Sequence, residues 1–266
     1  MTSIYNALAE LEKEGGLGVL CTIVVSRGST PRHVGSKMLV YPDGSFIGTI
    51  GGGEVENRVL ANALEALKEG IPRMLEYSML DPERGDPGVC GGQLEIFVEP
   101  LVPRPLLVVV GSGHVGKEVA YLGRWLGFRV AVSDDRPGFC TPEAVPDMDA
   151  YYPVPITELP QHLEIDPRTY FVLTTRGVDV DVIGLPALLD SEAAYIGVIG
   201  SRRRWAATRR QLLDAGVPPE KLSRVHSPIG LRINAETAKE IALSILAEIV
   251  MLRAGGSGKP MSKEDL

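Results

Sequence analysis

The sequence predicts an α/β protein: a smaller mixed α/β domain over residues 1–100, a Rossmann-type parallel-sheet domain over 101–254, and a flexible tail over 255–266. Three observations lead there. The run Gly111-Ser112-Gly113-His114-Val115-Gly116 follows a wholly apolar stretch and opens a stretch of helix formers. Asp134 stands 23 residues after Gly111, at the end of the next apolar run. Residues 100–105 carry three prolines and separate this strand–helix–strand rhythm from a hairpin-rich first part.

Element by element, residues 4–14 form a short helix with Ile4, Leu8 and Leu11 on one face. Residues 19–26 and 36–41 are β-branched strands, and Pro42-Asp43-Gly44 turns the chain into a return arm over 45–50. Gly51-Gly52-Gly53 interrupts that arm. A helix over 54–69 follows and is ended by Gly70 and Pro72. Residues 73–80 and 93–99 are strands, and the Pro- and Gly-rich stretch 81–92 between them is a loop. Residues 100–105 are the expected linker.

In the second part, residues 106–110 are apolar throughout, as a strand covered on both faces of a parallel sheet requires. Residues 114–126 form a helix, 129–133 a strand and 150–154 a third strand. Residues 170–174 and 195–199 are further strands, with a helix within 180–189 between them. A helix over 202–215 closes on Gly216. The last helix opens on Thr237-Ala238-Lys239-Glu240, a capping box in which each end satisfies the other's free backbone donor, and Ile241, Ile245, Ile249 and Leu252 form its apolar face.

Charge and composition narrow the function. Net charge is −7 with no basic block, which argues against a phosphate backbone or an anionic membrane as the partner, since both need concentrated Lys and Arg. No apolar stretch is long enough to span a bilayer, and residues 1–14 carry acidic groups without the apolar core of a signal peptide. Cys21, Cys90 and Cys140 show no metal-type spacing, and the four histidines form no cluster, so no protein-bound metal is expected. The expected setting is cytoplasmic, with reduced thiols.

The glycine fingerprint has a mechanism. Gly111 makes the tight turn, Gly113 lets the backbone approach a pyrophosphate, and Gly116 lets the helix pack on the sheet, with His114 at the helix start. Asp134 would accept from a ribose hydroxyl, with Asp135 competing for that role. An acid at 134 favours NAD or another adenine nucleotide over NADP. Two more loops follow strands of the same sheet. One carries Arg176. The other is Gly200-Ser201-Arg202-Arg203, suited either to bidentate phosphate contact or to a plain solvated first helical turn. Gly51, Gly52 and Gly53 point either to the approach of an anion or second chain, or to a tight bend. Cys90, flanked by glycines, is either a reactive thiol or an inert one, and Cys21 belongs to the core.

Taken in order, these stretches resemble one family, the xanthine dehydrogenase accessory factors (XdhC/CoxI). The matching stretches are Gly28-Ser29-Thr30-Pro31-Arg32, Gly48 to Gly53 with Glu56, Cys90-Gly91-Gly92 leading to Glu99-Pro100, and Gly111 to Gly116. Asp134-Asp135-Arg136-Pro137, Tyr195 to Arg203, Pro228-Ile229-Gly230-Leu231 and Glu240 to Ile249 complete the series. The resemblance implies a protein that binds molybdenum cofactor (molybdopterin), protects it while its terminal sulfur is installed, and delivers it to an apo molybdenum hydroxylase. The implied partners are that hydroxylase and a cysteine desulfurase, and the implied assembly is a homodimer. Two positions depart from the family pattern. Glu54 stands where many relatives carry a cysteine after the triple glycine, which leaves Cys90 as the family-like cysteine. Arg176-Gly177-Val178 stands where relatives often show histidine. The competing expectation is an NAD-dependent oxidoreductase with the first domain as its substrate domain. It needs an acid/base, for which His114 and His33 are the candidates near ligand loops. A nucleotide-sensing regulator without chemistry is a third.

Overall fold

The computed structural model describes residues 3–79 and 91–263, and the chain divides into two compact units, Met1–Pro103 and Arg104–Leu266. The first unit contains α1 (Ile4–Glu14), β1 (Gly18–Arg27), β2 (Lys37–Val40), β3 (Phe46–Gly48), α2 (Gly53–Glu69), β4 (Arg73–Ser78) and β5 (Gln93–Leu101). Its strands form an antiparallel sheet in the order β3-β2-β1-β5-β4. Alternation puts Val19, Cys21 and Ile23 of β1 and Leu94, Ile96 and Val98 of β5 on one face. Against them lies the helical stripe Val55, Val59, Ala63 and Ala66 of α2, and together these residues make the core of the unit.

Residues 100 and 101, expected in the linker, are instead the end of β5, with Pro100 opposite Val19 and Leu101 opposite Gly18. The reason is local. β4 begins at Arg73 opposite Val98, so Pro100 lies beyond the paired stretch, where β5 has no neighbour on that side and a missing N–H is tolerated.

The second unit contains β6 (Leu106–Val110), α3 (His114–Trp125), β7 (Arg129–Ser133), β8 (Ala150–Tyr152), α4 (Leu159–His162), β9 (Thr169–Leu173) and α5 (Val178–Leu189). It continues with β10 (Tyr195–Val198), α6 (Arg202–Asp214), α7 (Pro219–Leu222), β11 (Val225–His226) and α8 (Ala238–Ala254). All six strands are parallel, in the order β11-β10-β9-β6-β7-β8. Relabelled within this unit, that is the doubly wound order 3-2-1-4-5-6, and it reverses between β6 and β9. Alternate residues of β6 feed two cores. Leu107 and Val109 pack with α3 and α8, while Val108 and Val110 pack with α5, α6 and α7. The short elements α4, α7 and β11 carry too few residues for a periodic signal and were not expected.

The capping box of α8 is formed. Thr237 Oγ1 accepts from the Glu240 amide at 3.2 Å, and Glu240 Oε2 accepts from the Thr237 amide at 2.9 Å. The apolar face needs one correction: Leu252 is 45% exposed, and Ala242 and Leu246 are buried beside Ile245 and Ile249. In the last turn Arg253 covers the core, its guanidinium 5.0 Å from the Phe128 ring. Beyond Gly255, the Gly256 amide donates to Met251 O at 2.8 Å, and Met261 is fully exposed.

Candidate functional site

The reversal of strand order opens a crevice at the carboxyl ends of β6 and β9, with a cavity of about 320 Å³. Its three glycines differ in what surrounds them. Gly111 has φ 95°, and a Cβ there would come within 2.7 Å of the Thr174 carbonyl oxygen. A Cβ at Gly116 would overlap the Gly111 carbonyl, so α3 can approach the loop this closely only without a side chain. At Gly113 nothing lies within 4 Å, and the residue lines the cavity at the N-terminus of α3. Opposite, Val154, Ile156 and Ile183 form an apolar wall.

Asp134 is 4% exposed and surrounded by donors. Its Oδ2 accepts from the Ser112 amide at 2.8 Å, from Ser112 Oγ at 3.2 Å and from Arg136 Nη2 at 2.7 Å. Its Oδ1 accepts from the Arg136 amide at 3.0 Å and from Arg136 Nε at 2.8 Å. Burial, the largest single influence, raises the pKa of this carboxyl, but the hydrogen bonds from Arg136 and Ser112 together outweigh it and hold the group below its ordinary value of 3.8. Five bonds fill a carboxylate's acceptor sites. Asp134 is thus a clamp between the glycine loop and the β7 loop, which leaves no acceptor for the ribose hydroxyl expected of it. Arg136 is stacked on the Phe139 ring, 3.7 Å from its centroid. Asp135, the competing candidate, is part-exposed and pairs with Arg176 in a fork, at 2.7 Å (Nη1 to Oδ1) and 3.0 Å (Nη2 to Oδ2). That pair joins the loop after β7 to the loop after β9 at the cavity.

The loop after β9 is anchored from behind by Arg204, which the sequence did not single out. Arg204 donates to Asp181 Oδ2 through Nε at 3.1 Å and Nη2 at 2.7 Å, and to Thr175 Oγ1 at 2.7 Å. Asp181 is fully buried and also accepts from Thr175 Oγ1. The signal that could have found it was Asp181 itself, because a carboxylate inside an apolar helix requires a cation. Ser201 caps α6, its Oγ accepting from the Arg204 amide at 3.2 Å, and Gly200 with φ 151° lies against the Arg204 side chain. Arg202 lines a different groove, with Trp205, Arg209, Arg210 and Pro228. The structure therefore brings Gly111, Gly113, Asp134 and Arg176 together, with Gly116 behind them and His114 exposed at the helix start. Gly200, Ser201 and Arg202 do not line that cavity.

In the first unit a second set of glycines converges. Gly52 (φ 79°) caps α2 and Gly53 (φ 64°) begins it, with open space where their side chains would be. Glu56 reaches back from the first turn to accept from Thr49 Oγ1 at 2.7 Å and from the Ile50 amide at 3.2 Å. A Cβ at Gly51 would come within 2.8 Å of Pro31 Cγ, and one at Gly28 would come within 3.0 Å of Gly91 O. The stretches 28–32, 51–53 and 91–92 thus share one end of the sheet. Cys90 lies outside the described residues. Glu54 pairs with Arg58 at 2.9 Å along α2. Cys21 is buried, and burial pushes its thiol up to about 12, the value of an inert core cysteine. Cys140 is buried and donates from Sγ to Val132 O at 3.1 Å. Among the described residues no group of three His, Cys, Asp or Glu side chains is placed to hold a metal ion.

Comparison with known proteins adds to this geometry. The family described as the XdhC Rossmann domain matches residues 107–249, and the XdhC and CoxI family matches residues 11–78. The uncharacterized protein YqeB of Escherichia coli K12 is 36% identical over 263 residues, covering 98% of this chain and 48% of its own. A probable xanthine dehydrogenase subunit of Bacillus subtilis is 33% identical over 162 residues, covering 59% of this chain and 46% of its own. The chain thus spans about half the length of these two relatives. The molybdenum cofactor insertion chaperone PaoD of Escherichia coli K12 is 25% identical over 281 residues, covering 94% of this chain and 88% of its own. Among solved structures, a xanthine dehydrogenase from Bacillus halodurans has the same fold, with a TM-score of 0.51, 22% identity, and 99% and 98% of the two chains covered.

Proposed function

Because this chain belongs to the XdhC and CoxI family, we propose that it receives molybdenum cofactor, holds it while its terminal sulfur is installed, and delivers it to an apo molybdenum hydroxylase. The observation that carries this reading is the crevice between β6 and β9. A glycine loop leaves open space at Gly113 beside the α3 N-terminus, where a phosphate meets free backbone amides. Val154, Ile156 and Ile183 offer a wall for a planar ring. The ionisable groups of the lining are two carboxylate–guanidinium pairs, Asp134 with Arg136 and Asp135 with Arg176. Paired ions bind and orient, whereas proton transfer needs a group free to change its charge. This favours a carrier over the NAD-dependent oxidoreductase that the same crevice could serve. The relative PaoD, a molybdenum cofactor insertion chaperone by name, aligns along 94% of the chain and supports the same reading.

In this reading Cys90 supplies the thiolate that meets the molybdenum or the incoming sulfur, since a thiolate is a soft ligand suited to molybdenum. Its neighbour Gly91 lies against Gly28, among the converging glycines of the first unit. A cysteine desulfurase supplies the sulfur, and the carrier acts as a homodimer in the cytoplasm. The test is purification under anaerobic conditions from cells that make the cofactor, followed by metal and pterin analysis and transfer to a purified apo hydroxylase. Wild type retains molybdenum and pterin in equal amounts and restores hydroxylase activity. Cys90→Ser loses retention, and Cys21→Ser alters stability alone. A wild-type protein free of molybdenum and pterin overturns the proposal and leaves the oxidoreductase.

A further inference from the structure

The acid that normally reads a ribose is occupied in this crevice, and the exposed ionisable group beside it is a carboxylate–guanidinium pair, Asp135 with Arg176. Asp134 accepts five hydrogen bonds and is almost wholly buried, so a ribose diol would find no acceptor there without undoing the clamp on Ser112. The neighbouring groups are two guanidiniums. Arg136 uses Nε and Nη2 on Asp134, and its Nη1 takes no part in those bonds. Arg176 is half-exposed and gives one bond from each Nη to Asp135. Both arginines line the same cavity. Asp135 sits among them with part of its surface in solvent.

We propose that the Rossmann crevice selects a ligand carrying a phosphate monoester at its β7–β9 end, with Arg176 as the receiving group and Asp135 as the built-in carboxylate that the phosphate displaces. The chemistry of the groups leads there. A planar guanidinium with forked donors binds a phosphate dianion bidentately, in the geometry in which it now holds a carboxylate. An exposed carboxylate–guanidinium pair is worth little in water, so releasing its acid costs little, and a doubly charged phosphate attracts the freed guanidinium more strongly than a single charge does. The apolar wall of Val154, Ile156 and Ile183 would hold the ring that bears the phosphate. A monoester of this kind occurs at the end of molybdopterin and at the 2′ position of a phosphorylated dinucleotide. A diester, as in the nucleotide pyrophosphate form of the cofactor or in NAD, carries one charge fewer per phosphorus. The inference rests on the cofactor-carrying reading only for which of the two monoesters is the natural one.

The experiment is calorimetric titration of the full chain at low salt with two matched pairs. One pair is NADP and NAD. The other is molybdopterin and its nucleotide pyrophosphate form, each released anaerobically from a donor molybdoenzyme. In at least one pair the monoester binds on the order of tenfold more tightly, as one charge-assisted contact provides. Arg176→Gln brings that ratio close to one, and Asp135→Asn raises it by removing the competing acid. Both substitutions lie on a part-exposed ion pair, so the fold survives, and an unchanged melting temperature checks this. Equal binding within both pairs, a preference that survives Arg176→Gln, or no binding of any of the four overturns the proposal. A preference for NADP over NAD without any pterin binding keeps it and removes the molybdenum cofactor as the ligand.

Discussion

A buried carboxylate enclosed by donors stays ionised, and the loop it holds depends on that charge. Asp134→Asn removes the charge and turns one acceptor into a donor facing Ser112 or Arg136, which destabilises the second unit by about 2–4 kcal/mol in denaturant titration. The pH dependence has a definite sign. The folded state holds the Asp134 carboxyl below its ordinary value of 3.8, so the stability it contributes is complete above that value and is lost as pH falls through the lower folded value. The acid limb of a stability–pH curve is therefore steeper in wild type than in Asp134→Asn; equal limbs would refute the clamp. The glycines separate at the same scale. Gly113→Val projects into open space, so it keeps the fold and blocks the proposed phosphate site, whereas Gly116→Val drives a side chain into the Gly111 carbonyl and unfolds the loop. Melting curves with and without ligand distinguish the two variants.

At the scale of elements, the caps and faces make a similar set of claims. Thr237→Ala removes one half of the α8 capping box and lowers stability by about 1 kcal/mol, read as a shift in denaturant midpoint at constant slope. That helix was legible because its signals are local: Thr237 and Glu240 are three residues apart, and Ile245 and Ile249 share a face. The same holds for β6, α3 and β7, where an apolar run, a glycine fingerprint and a second apolar run follow within 30 residues. What stayed hidden depends on distant partners. Arg176 meets Asp135 across 41 positions, and Arg204 meets Asp181 across 23. Neither pairing has a periodic trace, so nothing in the sequence singled out Arg204. The identity of Asp134 was legible from its spacing after Gly111. Its partners were not, because Ser112 lies 22 positions away and the two-residue step to Arg136 leaves no periodic trace. Gly200 and Ser201 carry a phosphate-loop pattern, yet Ser201 caps α6, a use that the same two residues serve equally well.

At the scale of the whole molecule, each core cluster of the described residues is drawn from one unit. The first core is built from residues between Val19 and Val98, and the two cores of the second from residues between Leu106 and Ile249. Each unit therefore buries its own apolar surface, which is the physical requirement for folding alone. The division falls between Pro103 and Arg104, after β5 has completed the antiparallel sheet and before β6 starts the parallel one. A chain cut at that point loses no strand from either sheet. The predicted outcome is that residues 104–266, expressed alone, give a single cooperative melt and retain the ligand preference proposed for Arg176. The glycine loop, Asp135 and Arg176 all belong to that unit. Under the proposed carrier function, the same fragment fails to restore activity to an apo hydroxylase, because the proposed thiolate Cys90 and the glycines at 28, 51–53 and 91–92 belong to the other unit. Circular dichroism melting, titration and the transfer assay read the three claims separately. A fragment that does not fold would mean that residues 1–103 complete its structure. A fragment that transfers cofactor as well as the full chain would place the whole function in the parallel-sheet unit and remove Cys90 from it.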